Sequence, residues 1–277
     1  MGWRLTDDID EFATAAGAFL TSRPVEHTVF LTVIDALRRR GPRAYGPSDP
    51  LFGYWRTESG AVDGVLLRTP PHPMMLSAAP TDAVAAAATD VPPTPAVNLL
   101  AGAERVFAAA WQRRTGQTAS VARRTRLYRL AALADPSPPG QARLATADDR
   151  PLLIAWQKAF YEEIGEEGFG DAGAAIDDRV AYGGLLIWED EGRPVSMAIR
   201  SRLDSGMVRV AIVYTPPAHR GHGYAAGATV AATRSALDTG AGEVVLNTDL
   251  ANPISNRLYQ RLGYRPVEDR VILEFTA

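Results

Sequence analysis

The chain contains no cysteine. This excludes disulfides, thiolate metal sites and a cysteine nucleophile. Lys158 is the only lysine, and every other basic side chain is arginine; this imbalance and the abundance of alanine read as genomic composition bias. Of the four histidines (His27, His72, His219 and His222), only the last two are close in sequence. No carboxylate lies near them, so no metal is expected. No apolar run approaches the roughly 20 residues that span a bilayer. The N-terminus, MGWRLTDDIDEF, lacks the apolar core of a signal peptide, so a cytoplasmic location without a membrane partner is expected. Strong basic excess is missing too. Residues 1–140 hold 15 Arg/Lys against 13 Asp/Glu, a net of +2, and residues 141–277 hold 14 against 19, a net of −5. A nucleic-acid partner is therefore not expected.

What is present is the composition of a globular protein with a proper core: 277 residues, 46% hydrophobic and 22% charged. The Pro-rich segment at residues 136–140, just after Asp135, reads as a linker between a domain at 1–135 and a second at 141–277. Thr146 and Asp148 suit the cap of a first helix in the second domain. That helix is expected over Pro151 to Ile164, with Leu152, Ala155, Trp156, Ala159 and Phe160 at helical spacing. A short helix follows at Ala172 to Tyr182. Strands are expected at Gly184 to Trp188, Val195 to Ile199 and Met207 to Tyr214. A long helix then runs to Leu237. After it come a strand at Glu243 to Leu246, a helix at Ser255 to Leu262 and a strand at Val271 to Phe275.

The run Val210-Ala211-Ile212-Val213 meets Pro216 and Pro217, then opens into Arg220-Gly221-His222-Gly223-Tyr224-Ala225 and a helix. A strand feeding a small-residue turn and a helix makes an anion site. The first N–H groups of a helix lack internal partners, and the helix dipole is positive there. Further on stands Asn252, then Tyr259 on a helix, then Leu262-Gly263-Tyr264. Together the two segments resemble the GNAT superfamily of acyl-CoA N-acyltransferases. The family's Arg/Gln-x-x-Gly-x-Gly/Ala loop matches at Arg220, Gly223 and Ala225. The strong match covers roughly residues 141–277. It implies a mixed α/β (α+β) fold with a mostly antiparallel sheet flanked by helices.

The N-terminal half repeats this order without a phosphate loop. Strands are expected at Gly53 to Trp55, Ala61 to Leu67 and Pro73 to Ser77. A helix at Thr81 to Ala88, a strand at Ala96 to Leu99, a helix at Ala103 to Thr115 and a strand at Arg126 to Leu130 follow. We read it as a degenerate GNAT-like domain in tandem with the first, against the alternative of an unrelated small α/β domain.

The resemblance implies acetyl-CoA (coenzyme A) as cofactor. The N–H groups of Gly221, His222, Gly223, Tyr224 and Ala225 suit its pyrophosphate, with Arg220 as loop organiser or phosphate partner. Val213, Tyr214 and Thr215 would pair with the pantetheine like an added strand, and the N–H near Val213 would polarise the thioester carbonyl. Tyr259 is the candidate acid for the leaving thiolate, or else a packing residue. Asn252 either bonds the cofactor or caps the helix, in competition with Ser255; for Asn256 the resemblance implies the cofactor. Glu162, Glu163 and Glu166, with Glu167, Asp171, Asp177 and Asp178, form either an acidic rim for a cationic amine or a solvated turn. The resulting expectation is an acetyl-CoA-dependent N-acetyltransferase. Its acceptor would be a small-molecule or peptide amine that attacks directly in a ternary complex. The alternatives are an acyl-CoA-binding regulatory or scaffold protein and an enzyme for longer acyl chains. Monomer and homodimer both remain open.

Overall fold

The computed structural model describes residues 1–166 and 170–276; Glu167 lies outside them. Two compact units emerge. The first comprises residues 1–127, 248–251 and 267–277, and the second 128–247 and 252–266.

The N-terminal unit begins with β1 (Gly2–Thr6), α1 (Ile9–Ser22) and α2 (Thr28–Arg40). Asp8 starts α1 by accepting from the Asp10 and Glu11 N–H groups at 2.8 and 3.1 Å, satisfying two of the end donors a helix leaves open. Phe12, Ala16 and Leu20, four residues apart, form its buried stripe. Then come β2 (Leu51–Arg56), β3 (Val62–Arg68), β4 (Met74–Leu76), α3 (Thr81–Asp90), β5 (Ala96–Leu100), α4 (Glu104–Thr115) and β6 (Thr118–Leu130). Strands β1 to β4 pair antiparallel in sequence, and β4 pairs parallel to β5. The helices α3 and α4 close a core of Val84, Val97, Leu99, Phe107 and Trp111.

The C-terminal half of the chain repeats the order. It has β7 (Gln141–Leu144), α5 (Arg150–Glu163), α6 (Ala172–Ala181), β8 (Leu185–Asp190), β9 (Arg193–Arg200), β10 (Met207–Tyr214), α7 (Tyr224–Asp238), β11 (Glu243–Asp249), α8 (Pro253–Arg261) and β12 (Tyr264–Thr276). Strands β7 to β10 are antiparallel, and β10 runs parallel to β11. The tandem GNAT-like reading is therefore present as topology: each half runs β-α-α-β-β-β-α-β-α-β. The sequence reading of the N-terminal half started at Gly53 and omitted β1, α1 and α2.

Alternation along the strands sorts the second core into two faces. Val208, Val210, Val244 and Leu246 join α7 residues and Tyr259 on one face. Met197, Ile199, Ile187 and Tyr214 meet Leu153 of α5 and Ile176 of α6 on the other.

Three details differ from expectation. The cap partner of Thr146 is Asp149, not Asp148, because the Asp149 carboxylate lies 2.8 Å from the Thr146 N–H and is held by Arg143 at 2.7 Å. The Pro-rich segment is docked rather than free: the Pro139 carbonyl accepts from Trp188 Nε1 at 2.8 Å. The final strand crosses the boundary drawn at the linker. Residues Arg270 to Glu274 of β12 pair antiparallel with β5, placing Val271 and Leu273 in the N-terminal core.

Candidate active site

Strands β10 and β11 pair in parallel from Met207↔Glu243 to Val210↔Leu246, and no further. Beyond Val210 the β10–β9 register slips between Ala211 and Tyr214, a bulge in which Ile212 takes φ 48°. A β-branched residue rarely adopts that conformation. The bulge bends β10 away just where its pairing with β11 stops. Thr215 is held by Ser196, whose Oγ donates to the Tyr214 carbonyl at 2.9 Å and lies 2.8 Å from Thr215 Oγ1. Pro216 and Pro217 then end the strand, since neither has an N–H for a ladder.

The loop leads into α7 with Gly223 as N-cap at φ 83°. Only glycine takes that conformation without strain. Ala226 and Gly227 donate back to the Gly223 carbonyl at 2.9 and 3.2 Å. The N–H groups of Gly221, His222, Gly223, Tyr224 and Ala225 donate to nothing among the described residues. Residues 220–223 are exposed. Five open donors at a helix N-terminus fit a pyrophosphate. The side chains around them are tethered: Tyr224 Oη donates to Asp190, and the His222 ring stacks on Tyr224 at 5.3 Å.

Arg220 is committed within the protein. Its Nε donates to the Thr215 carbonyl at 3.0 Å, and its Nη2 pairs with Glu163 at the end of α5. Asn252 caps α8, its Oδ1 accepting from the Ser255 N–H at 3.0 Å. The amide of Asn256 is also engaged: Oδ1 accepts from Tyr128 at 2.9 Å, and Nδ2 donates to the Asn252 carbonyl at 2.7 Å.

Tyr259 is 8% exposed and belongs to the core cluster with Val210, Ala226 and Leu246, against which Val213 packs. These five residues are drawn from β10, β11, α7 and α8. The Tyr259 ring meets Tyr264 edge-on at 6.3 Å, and its hydroxyl makes no hydrogen bond among the described residues. Burial pushes its pKa up to about 12, keeping it a neutral donor.

Residues 144–264 match the family model described as the acetyltransferase (GNAT) family. This part of the chain is similar to the GNAT family. Solved GNAT structures also align over both halves. An acetyltransferase from the GNAT family of Colwellia psychrerythraea covers 100% of both chains at 10% identity and a TM-score of 0.63. A GCN5-related N-acetyltransferase from Sphaerobacter thermophilus covers 98% of this chain and 94% of its own at 12% identity, TM-score 0.60. Another, from Kribbella flavida, covers 91% and 96% at 20% identity, TM-score 0.57. At such identities the likeness is one of fold. No curated protein matches the sequence.

The two GNAT-like halves differ at their parallel strand pairs. In the N-terminal half the turn from β4 to α3 has Pro80 as N-cap, which lacks an N–H. The end of β4 is bridged to β5 by Arg270, whose Nη2 donates to the Leu76 carbonyl at 2.5 Å and whose Nε donates to Asn98 Oδ1 at 2.9 Å. The glycine-entered turn, with Gly223 as N-cap, is in the C-terminal half.

The acidic cluster is largely consumed. Glu163 pairs with Arg220, Asp177 with Arg150 at 2.8 Å and Asp178 with Arg202 at 2.7 Å. Asp171 caps α6, and Glu162 lies 3.8 Å from Lys158. Glu166 is half-buried just after α5, its N–H bonded to the Tyr161 carbonyl at 2.9 Å. The sequence reading gave no role to Asn247, on β11 one residue past the last pair. Its signal was a lone amide closing the apolar run Val244-Val245-Leu246.

Proposed function

We propose that the protein is an acetyl-CoA-dependent N-acetyltransferase, with the chemistry in the C-terminal half. One observation carries this reading: the β10–β11 fork opens beside five unsatisfied N–H groups at the α7 N-terminus. The N–H groups of residues 221–225 hold the pyrophosphate. Val213, Tyr214 and Thr215 present strand edge to the pantetheine amides.

Acetyl-CoA supplies an activated thioester carbonyl. The backbone N–H near Val213 stabilises the negative charge that builds on the carbonyl oxygen as an amine attacks. Tyr259, neutral and within the same cluster, donates its hydroxyl proton to the departing sulfur as the C–S bond breaks, and the proton shed by the amine nitrogen on forming the amide restores the phenol. The acceptor is a primary amine that attacks directly, and no acyl-cysteine can form, since the chain has no cysteine.

The test is calorimetric titration with acetyl-CoA beside Gly223→Asp, followed by amine-dependent thiol release. A side chain at Gly223 meets the positive φ and Pro138 at 3.3 Å. Saturable binding that the variant loses supports the reading. A wild-type protein that binds no acetyl-CoA overturns it.

A further inference from the structure

Buried amide donors are almost always bonded, because leaving one unmatched costs free energy. Asn247 Nδ2 is buried and has no hydrogen-bond partner among the described residues. Its position gives that orphan a direction. The last parallel pair is Val210↔Leu246, so Asn247 is the first β11 residue inside the fork. Leu246 faces the α7 core, and strand alternation turns Asn247 to the opposite face. Over β8 to β10 that face is the one covered by α5 and α6. Asn247 therefore stands at the fork on the face away from α7 and Tyr259's cluster.

Charge on this side argues against a polycationic acceptor. The carboxylates of Glu163, Asp177 and Asp178 each pair with an arginine of the protein, and that of Asp171 caps a helix. Arg209 adds a cation on the same face as Asn247. It pairs in register with Val245, and its neighbours Val208 and Val210 both face α7.

Resting on the acetyltransferase reading above, we propose that Asn247 is an acceptor-binding residue. Its Nδ2 receives an oxygen of the amine substrate, either a carboxylate or an amide carbonyl close to the amino group. The substrate class is amino acids and aminoacyl amides rather than alkyl polyamines.

The test uses the full chain with L-amino acids, their carboxamides, and spermidine and cadaverine as probes. Thiol release is followed for wild type and Asn247→Ala. In parallel, the side-chain amide signal of Asn247, assigned by its loss in Asn247→Asp, is followed by NMR in protein carrying coenzyme A. We expect amino acids or their amides to be the better acceptors and to shift the Asn247 signal. In Asn247→Ala their KM rises tenfold or more, kcat and acetyl-CoA affinity change little, and thermal stability does not fall, since an unmatched donor has been removed. The carboxylate and carboxamide arms tell the two oxygen sources apart. Polyamines as the better acceptors, an unmoved Asn247 signal, or an unchanged KM in Asn247→Ala overturns the assignment. Failure of the underlying reading looks different: wild type then binds no acetyl-CoA, and the Asn247 amide signal, followed in protein without coenzyme A, alone decides the role of Asn247.

Discussion

Arg220 and Glu163 form an ion pair that ties the end of α5 to the loop before α7, while the same guanidinium holds the Thr215 carbonyl at 3.0 Å. Both side chains are close to half exposed, so the pair contributes little stability, about 0.5 kcal/mol or less. Its weight lies in loop shape. Arg220→Ala is expected to weaken acetyl-CoA binding about tenfold with little change in melting temperature. Glu163→Gln leaves the Thr215 contact and is expected to leave affinity within a few-fold of wild type. Equal losses in the two variants, read by calorimetry, would assign the organising role to the ion pair instead.

Tyr259→Phe should lower kcat about 10²-fold and leave acetyl-CoA affinity unchanged, because it removes a proton donor and keeps the packing. Burial holds the phenol at about 12, above the ordinary 10. The wild-type rate should therefore show no loss near pH 10 that the Phe variant lacks. An alkaline limb near pH 10 specific to wild type would contradict the buried, neutral phenol.

Gly263 takes φ 97°, and a Cβ there would run into the backbone carbonyl of Ala132. The Ala131 N–H also donates to the Gly263 carbonyl at 3.0 Å, so the two segments cannot separate freely. Gly263→Ala is expected to cost about 2–4 kcal/mol from strain and overpacking together. Urea unfolding measures it, and a loss under about 1 kcal/mol would show that the turn yields.

Asp149 accepts from Arg143 and from the Thr146 N–H, which holds its carboxyl at about 2 against an ordinary 3.8. The unfolded state binds the proton more readily. Stability from this group is thus complete above about pH 4 and is lost as pH falls towards 2. Asp149→Asn should be less stable at pH 6 and lose less between pH 4 and pH 2. Parallel acid profiles would remove Asp149 from the acid response.

Arg270 is 4% exposed and pairs with Glu268 at 3.2 Å while bridging β4 to β5. Arg270→Met leaves the Glu268 charge and the Asn98 amide without their partner, and is expected to cost about 3–5 kcal/mol. Because this side chain fills the N-terminal counterpart of the fork, titration of wild type should give one acetyl-CoA per chain. Two equivalents would show that the N-terminal half also binds.

Much of the C-terminal half was legible because its signals are local. Met207–Tyr214 and the helix entered at Gly223 follow from an apolar β-branched run, two prolines and a glycine turn. The repeat in the N-terminal half was legible from Gly53 onward. The stripe Phe12, Ala16 and Leu20 was equally readable but was not taken up. The ion pairs that consume the acidic cluster were not legible, since Glu163 and Arg220 stand 57 residues apart and nothing local links them.

The sequence by itself determined the order of elements in the C-terminal half, the glycine turn into α7 and the absence of cysteine chemistry, because these depend on residue type and near neighbours. Tertiary structure decided the rest. It placed β12 against β5, closed the N-terminal fork with Arg270, tethered Asn256 to Tyr128 and left Asn247 Nδ2 without a hydrogen-bond partner among the described residues. Each of these depends on which distant side chains burial brings within hydrogen-bond reach, and only the folded chain sets those distances.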